Sequence, residues 1–173
     1  MNLKSKIREI PDWPIKGVNF KDISTIIEDK EAFRYVIDKL LEPYQGQKID
    51  KVVGIDARGF LFCSAMAYRL GAGCVMIRKK GKLPWKTIGQ DYALEYGANT
   101  IEMHQDSIKP GERVIIVDDL LATGGTMAAT VDLVKQLGGE IAGISFIIDL
   151  VFLKGKEKIK DYPVHTLVEY ESE

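Results

Sequence analysis

The segment Val114 to Thr126, VIIVDDLLATGGT, constrains the fold of this chain more than any other. Val114, Ile115, Ile116 and Val117 are branched and apolar, which suits a strand covered on both faces in the middle of a parallel sheet. Asp118 and Asp119 follow where that strand is expected to stop, and such strands deliver their carboxyl ends to ligand crevices. Facing a crevice, two acids avoid the cost of unpaired charge in a core and can accept hydrogen bonds from vicinal hydroxyls. Ala122, Thr123, Gly124, Gly125 and Thr126 then form a turn free of bulk, ahead of a helix expected over Met127 to Leu137.

An anion in that turn meets successive backbone amides, the positive end of a helix dipole and two threonine hydroxyls, which together favour a phosphate monoester. The plainer alternative is a tight connection in which the glycines turn the chain and Thr126 caps the helix. Clustered charge favours the phosphate reading, because a plain turn needs no paired acids. The Walker pattern and the GxGxxG fingerprint are both absent from the sequence.

The rest of the chain repeats the same alternation. Phe33, Val36, Ile37, Leu40 and Leu41 keep helical spacing, with Asp29 placed to cap the start and Pro43 to help end it. Lys51 to Asp56 reads as a buried strand, Gly59 to Leu70 as a helix stopped by Gly71, and Gly73 to Arg78 as a strand. Ile141 to Ile148 is a further buried strand, and Val164 to Tyr170 a short terminal one. Strands alternating with helices imply an α/β fold: a central, mostly parallel sheet with helices on both faces and right-handed crossovers. Lys79 to Asp91 reads as a polar loop of the kind that forms lids. Tyr92 to Tyr96 and Thr100 to His104 read as an antiparallel hairpin flanking it.

With 173 residues, 46% of them hydrophobic, the chain is long enough for one sizeable core and short for two, so a single domain is expected. A net charge of -1 gives no basic field for nucleic acid. Cys63 and Cys74 cannot build a disulfide framework and read as buried thiols. The charged amino terminus is unlike a signal peptide, and the longest apolar run is too short for a bilayer. A soluble cytoplasmic protein without membrane or nucleic-acid partners is expected. His104 and His165 lack metal-site spacing and read as structural.

VIIVDDLLATGGT resembles the signature of the type I phosphoribosyltransferases, which use phosphoribosyl pyrophosphate as donor. Val52 to Phe62 (VVGIDARGFLF), Cys74 to Pro84 (CVMIRKKGKLP), Leu94 to Gly97 (LEYG) and Gly17 to Ser24 (GVNFKDIS) narrow the resemblance to the adenine-specific branch, over nearly the whole chain. The resemblance implies a homodimer that converts adenine and phosphoribosyl pyrophosphate to AMP and pyrophosphate. It also implies a small N-terminal hood over the base, about residues 1–28, and a lid with its hairpin at about 79–104.

Roles follow by resemblance. Asp118 and Asp119 bind the ribose hydroxyls, and Ala122 to Thr126 hold its phosphate. Asp56, Ala57, Arg58 and Gly59 form a pyrophosphate loop with a non-proline cis peptide at Asp56 and Ala57; Arg58 also counts among the catalytic residues. Arg78, Lys79 and Lys82 lie in the densest cationic cluster, which also includes Lys80; the resemblance implies that they join the pyrophosphate, although the run alone reads more readily as a solvated basic turn. Glu95 alternates against Tyr92, Leu94 and Tyr96, so spacing alone makes it solvent-facing; the resemblance makes it the proton shuttle at the purine ring, with Tyr96 beside it in the lid. Phe20 would stack on adenine, with backbone near Asn19 and Lys21 reading its edge and Leu120 covering the opposite face. Magnesium is implied by the pyrophosphate chemistry, held mainly by substrate and water.

Two other functions fit parts of the pattern. A hypoxanthine, guanine or xanthine enzyme would want a donor, typically lysine, near the end of a later strand; Lys154 and Lys156 come only beyond Asp149 to Phe152. A non-catalytic phosphoribosyl pyrophosphate sensor normally carries an added DNA-binding segment, which is not visible here.

Overall fold

The chain enters through a small antiparallel pair, β1 (Arg8–Ile10) and β2 (Phe20–Asp22), joined by a loop with a cis Trp13–Pro14 bond. These and all later statements come from a computed structural model that describes residues 1–93 and 98–172. The N-terminal segment is therefore more regular than the sequence suggested. A single turn, α1 (Ser24–Ile27), follows, and then α2 (Lys30–Leu41). Asp29 caps α2 as expected: its Oδ1 accepts from the amides of Glu31 at 3.0 Å and Ala32 at 3.2 Å. Such a cap is worth about 1 kcal/mol.

The body of the chain supplies β3 (Lys51–Ile55), α3 (Gly59–Leu70), β4 (Gly73–Lys79), β5 (Thr87–Ala93), β6 (Ala98–His104), β7 (Arg113–Leu121), α4 (Gly125–Gln136), β8 (Glu140–Leu150) and β9 (Val164–Tyr170). Among the described residues these strands form one sheet in the order β5-β6-β4-β3-β7-β8-β9. Strands β4, β3, β7, β8 and β9 run parallel, while the β5–β6 hairpin adds an antiparallel edge.

Alternation along β7 divides its side chains between two cores. Ile115 and Val117 join the cluster under α2 and α3, which includes Val36, Leu40, Phe62 and Met66. Val114 and Ile116 join the opposite cluster with Leu133, Phe146, Ile77 and Met103. A strand with both faces covered must be apolar along its middle, which is why β7 carries no charge between Arg113 and Asp118.

Several boundaries differ from the sequence reading. Strand β7 does not stop at the acids but runs to Leu121, and β8 passes through Asp149 to Leu150. Each supplies the other's ladder there, with Leu120 opposite Ile148 and Leu121 opposite Asp149. The hairpin begins at Thr87 rather than Tyr92, because Thr87 to Asp91 pair with His104 to Thr100 on β6. The polar connection thus shrinks to residues 80–86. Cys63 is buried but Cys74 is exposed, contrary to the expectation of two buried thiols. The histidines are structural as expected: His104 Nε2 lies 2.6 Å from the Pro84 carbonyl oxygen and His165 Nε2 3.1 Å from that of Lys39.

Candidate active site

A gap in strand pairing creates the site. Strand β3 pairs with β7 only as far as Gly54 opposite Val117, whereas β7 continues alongside β8. Beyond that line residues 56–59 turn away from β3 into α3 through a cis Asp56–Ala57 peptide bond, the bond that the resemblance implied. The cleft left behind measures about 440 Å³ and is lined by Asp56, Ala57, Arg58, Arg78, Lys79, Asp118, Asp119, Leu120 and Thr126. Gly59 begins α3 directly against the acids: a Cβ there would stand 2.8 Å from Asp118 Oδ1 and 3.2 Å from the Val117 carbonyl oxygen. Only glycine allows the helix to start this close.

The acids share the cleft with two arginines, each already paired. Asp119 is 5% exposed, and its Oδ2 accepts from Arg58 Nε. The Arg58 guanidinium also lies over the Phe20 ring, 5.3 Å from its centroid. Arg78 Nε donates to Asp56 Oδ2 at 2.8 Å, and its Nη1 donates to the Lys82 carbonyl at 3.0 Å. Asp118 Oδ1 accepts from the Asp119 amide at 2.9 Å. Removal from water, reinforced by the neighbouring Asp119 charge, holds the Asp118 carboxyl well above the usual carboxylate range. A carboxylate crowded in this way gains from any positive charge or hydroxyl donor that enters the cleft.

A second hollow, about 100 Å³, opens beside the acids and is lined by Leu121 to Met127 with Phe146. Gly124 is the N-cap of α4 in the left-handed region, φ 77°, and makes no side-chain cap hydrogen bond. Thr126 is therefore not the cap; Gly124 holds that position and Thr126 lies in the first turn of α4. No side-chain oxygen of the N-cap position meets the amides of the first turn of α4, which are groups of the kind that can bind an anion.

The base-side residues are placed less simply. Phe20 is half-buried and meets Trp13 edge-on, with ring centroids 4.4 Å apart. The side chains of Asn19 and Lys21 turn to Glu9, at 2.7 Å and 3.0 Å, and Lys21 Nζ also sits 4.3 Å from the Tyr170 ring centroid. Lys21 is thereby buried between β1 and Tyr170, and the side chains of both residues are engaged within the protein. The Lys82 side chain is exposed; its carbonyl, not its ammonium, contributes through Arg78. Glu95 and Tyr96 lie outside the described residues. Sequence reasoning missed Ile55, Ile77, Ile101 and Tyr92 as the apolar wall of the cleft. Ile55 and Ile77 end parallel strands beside the acids, a positional signal that was available.

The donor set also bears on magnesium. Among the described residues no group of three or more His, Cys, Asp or Glu could cage a metal ion. The hard oxygen donors in the cleft are Asp118, Asp119 and Asp56. That fits an ion that retains water and substrate oxygens and touches protein sparingly.

A mostly parallel sheet whose paired acids lead into a glycine-containing turn, facing a second loop across one cleft, is the arrangement of a phosphoribosyltransferase, and residues 24–169 match the phosphoribosyl transferase domain family. The chain is 54% identical over 173 residues to the adenine phosphoribosyltransferase of Desulfosudis oleivorans, with 100% of both chains covered. It is also similar to the crystal structure of adenine phosphoribosyltransferase from Rhodothermus marinus, at 50% identity and TM-score 0.93, covering 97% of this chain and 96% of that one. The Saccharomyces cerevisiae enzyme, complexed with adenine and an imino-altritol bisphosphate, matches at 40% identity and TM-score 0.91, covering 96% of each chain. The chain belongs to the adenine phosphoribosyltransferase family.

Proposed function

We propose that this chain transfers the 5-phosphoribosyl group from phosphoribosyl pyrophosphate to adenine, giving AMP and pyrophosphate in purine salvage. The observation that carries the reading is the meeting of Asp118, Asp119, the loop 56–59 and Arg78 in one cleft, with the 122–126 turn adjoining it. The yeast relative's adenine complex supports adenine as the base.

In this reading the turn from Ala122 to Thr126 holds the sugar phosphate through backbone amides. Asp118 and Asp119 accept hydrogen bonds from the ribose hydroxyls and face positive charge as it develops on the anomeric carbon. Pyrophosphate leaves toward residues 56–59 and Arg78, with Lys79 at the rim and Lys82 brought in by closure of the segment 79–104. Glu95 takes the proton of the purine nitrogen that attacks, Tyr96 closes beside it, and Phe20 and Leu120 cover the base. Asp118 and Asp119 would hold magnesium through water and the ribose oxygens, and the bound ion would neutralise charge on the departing pyrophosphate.

Lys156 bears on the choice of base. It is committed to Asp149 and Glu169, at 2.7 Å and 2.8 Å, so its ammonium is engaged away from any keto oxygen. No helix among the described residues is long and apolar enough to cross a membrane. A homodimer is carried over from the family; exposed Leu61, Tyr68 and Met76 offer apolar area for a partner to cover. The function is tested by supplying magnesium and phosphoribosyl pyrophosphate with adenine, guanine or hypoxanthine in turn and resolving the nucleotides formed. AMP from adenine alone is expected, and product from hypoxanthine without product from adenine overturns the reading.

A further inference from the structure

The turn that holds the sugar phosphate rests on a piece of chain that no motif singles out. After β8, Lys154 turns the backbone with φ 54° and Gly155 comes to lie beneath the turn. A Cβ on Gly124 would stand 2.5 Å from the Gly155 carbonyl oxygen. A Cβ on Gly155 would stand 2.3 Å from the Ala122 carbonyl oxygen and 2.9 Å from Leu121 Cδ1. The two segments meet backbone to backbone, so a shift in one must move the other.

What holds Gly155 in place is the residue after it. Lys156 Nζ lies 2.7 Å from Asp149 Oδ2 and 2.8 Å from Glu169 Oε1. Asp149 is 1% exposed and stands opposite both Glu169 on β9 and Leu121 on β7, the last strand residue before the turn. Two carboxylates at facing positions of adjacent strands, one of them buried, require a cation between them. Burial works against the charge on Lys156, but its pairing with the Asp149 and Glu169 carboxylates outweighs it and holds the ammonium above its ordinary range. On the other side, Ile159 is 1% exposed in the core beneath α4.

We infer that Lys156, anchored by Asp149 and Glu169, is a positioning residue: it fixes Gly155 and so sets the curvature of the turn that receives the sugar phosphate of donor and product. The inference rests on the function proposed above. It separates ligands that carry the ribose phosphate from those that do not, because pyrophosphate binds at residues 56–59 and Arg78, away from this brace.

The test compares the full chain with Lys156→Met and Lys156→Arg, measuring AMP and pyrophosphate binding by calorimetry and KM and kcat for both substrates. Lys156→Met is expected to weaken AMP and raise KM for phosphoribosyl pyrophosphate about tenfold, with pyrophosphate affinity and kcat within about twofold, and Lys156→Arg to recover most of the loss. If Lys156→Met does not fold, Glu169→Gln gives the milder version, about threefold in the same direction. Unchanged AMP affinity, or equal weakening of AMP and pyrophosphate, overturns the brace. A parent chain that binds neither AMP nor donor overturns the function itself and the inference with it.

Discussion

The two sides of the cleft are built from different materials. The donor side is backbone held by glycines: Gly59 lets α3 begin against Asp118, Gly124 turns in the left-handed region, and Gly155 props the turn from below. The base side is made of side chains that already satisfy one another, with Glu9 taking Asn19 and Lys21, Trp13 against Phe20, and Arg58 over the Phe20 ring. A highly charged donor needs fixed amides and acids whose orientation costs nothing at the moment of reaction. In the proposed function a flat, neutral base needs a face and a few backbone groups, and Phe20 on β2 supplies the face.

If the sides divide the work in this way, damage to each should be distinguishable. The largest effect is expected from replacing both Asp118 and Asp119 by asparagine, which keeps shape but removes charge: turnover should fall by about a thousandfold or more while the protein stays folded by circular dichroism. Steady-state rates within tenfold of the parent would take the acids out of the mechanism. Next comes Phe20→Ala, expected to raise KM for adenine about tenfold while leaving that for phosphoribosyl pyrophosphate alone. A matching rise in the donor's KM would mean that Arg58, which touches both Phe20 and Asp119, ties the sides into one unit.

The smallest effect is on stability. An ordinary aspartate ionises near pH 3.8, and the Asp118 carboxyl in the folded chain titrates well above that. As pH rises through this window the unfolded chain releases its proton first, so the native state loses stability relative to it. Asp118→Asn should therefore raise the melting temperature at pH 7, and the gain should shrink as pH falls toward 4. Calorimetric scans at both ends of that range check the sign; a lower melting temperature at pH 7 would mean that the carboxylate is not crowded.

Much of the donor side was legible in the sequence. Composition and spacing marked β3, the stop of α3 at Gly71, the cap at Asp29 and the turn after the acids, because each depends on residues within a few positions of one another. The continuation of β7 past Asp119 and of β8 through Asp149 was not legible, since Leu120 and Leu121 stay in strand by pairing with β8, and Asp149 and Leu150 by pairing with β9. Thr87 to Asp91 is polar and reads as loop, yet pairing with β6 makes it strand. Lys21 looked like a base-side residue; its partners Glu9 and Tyr170 come from opposite ends of the chain, so nothing near it in sequence announced its burial. The brace escaped for the same reason, being defined by glycine contacts between segments about thirty residues apart.

Because Asp118 and Asp119 belong to a strand still laddered on one edge after its other neighbour has ended, the reaction centre is a notch in the sheet and not an appendage to it. Its walls inherit the rigidity of the central strands. Loosening the acids would mean unzipping β7 from β8, so gradual heating should leave catalytic geometry intact until the fold itself gives way.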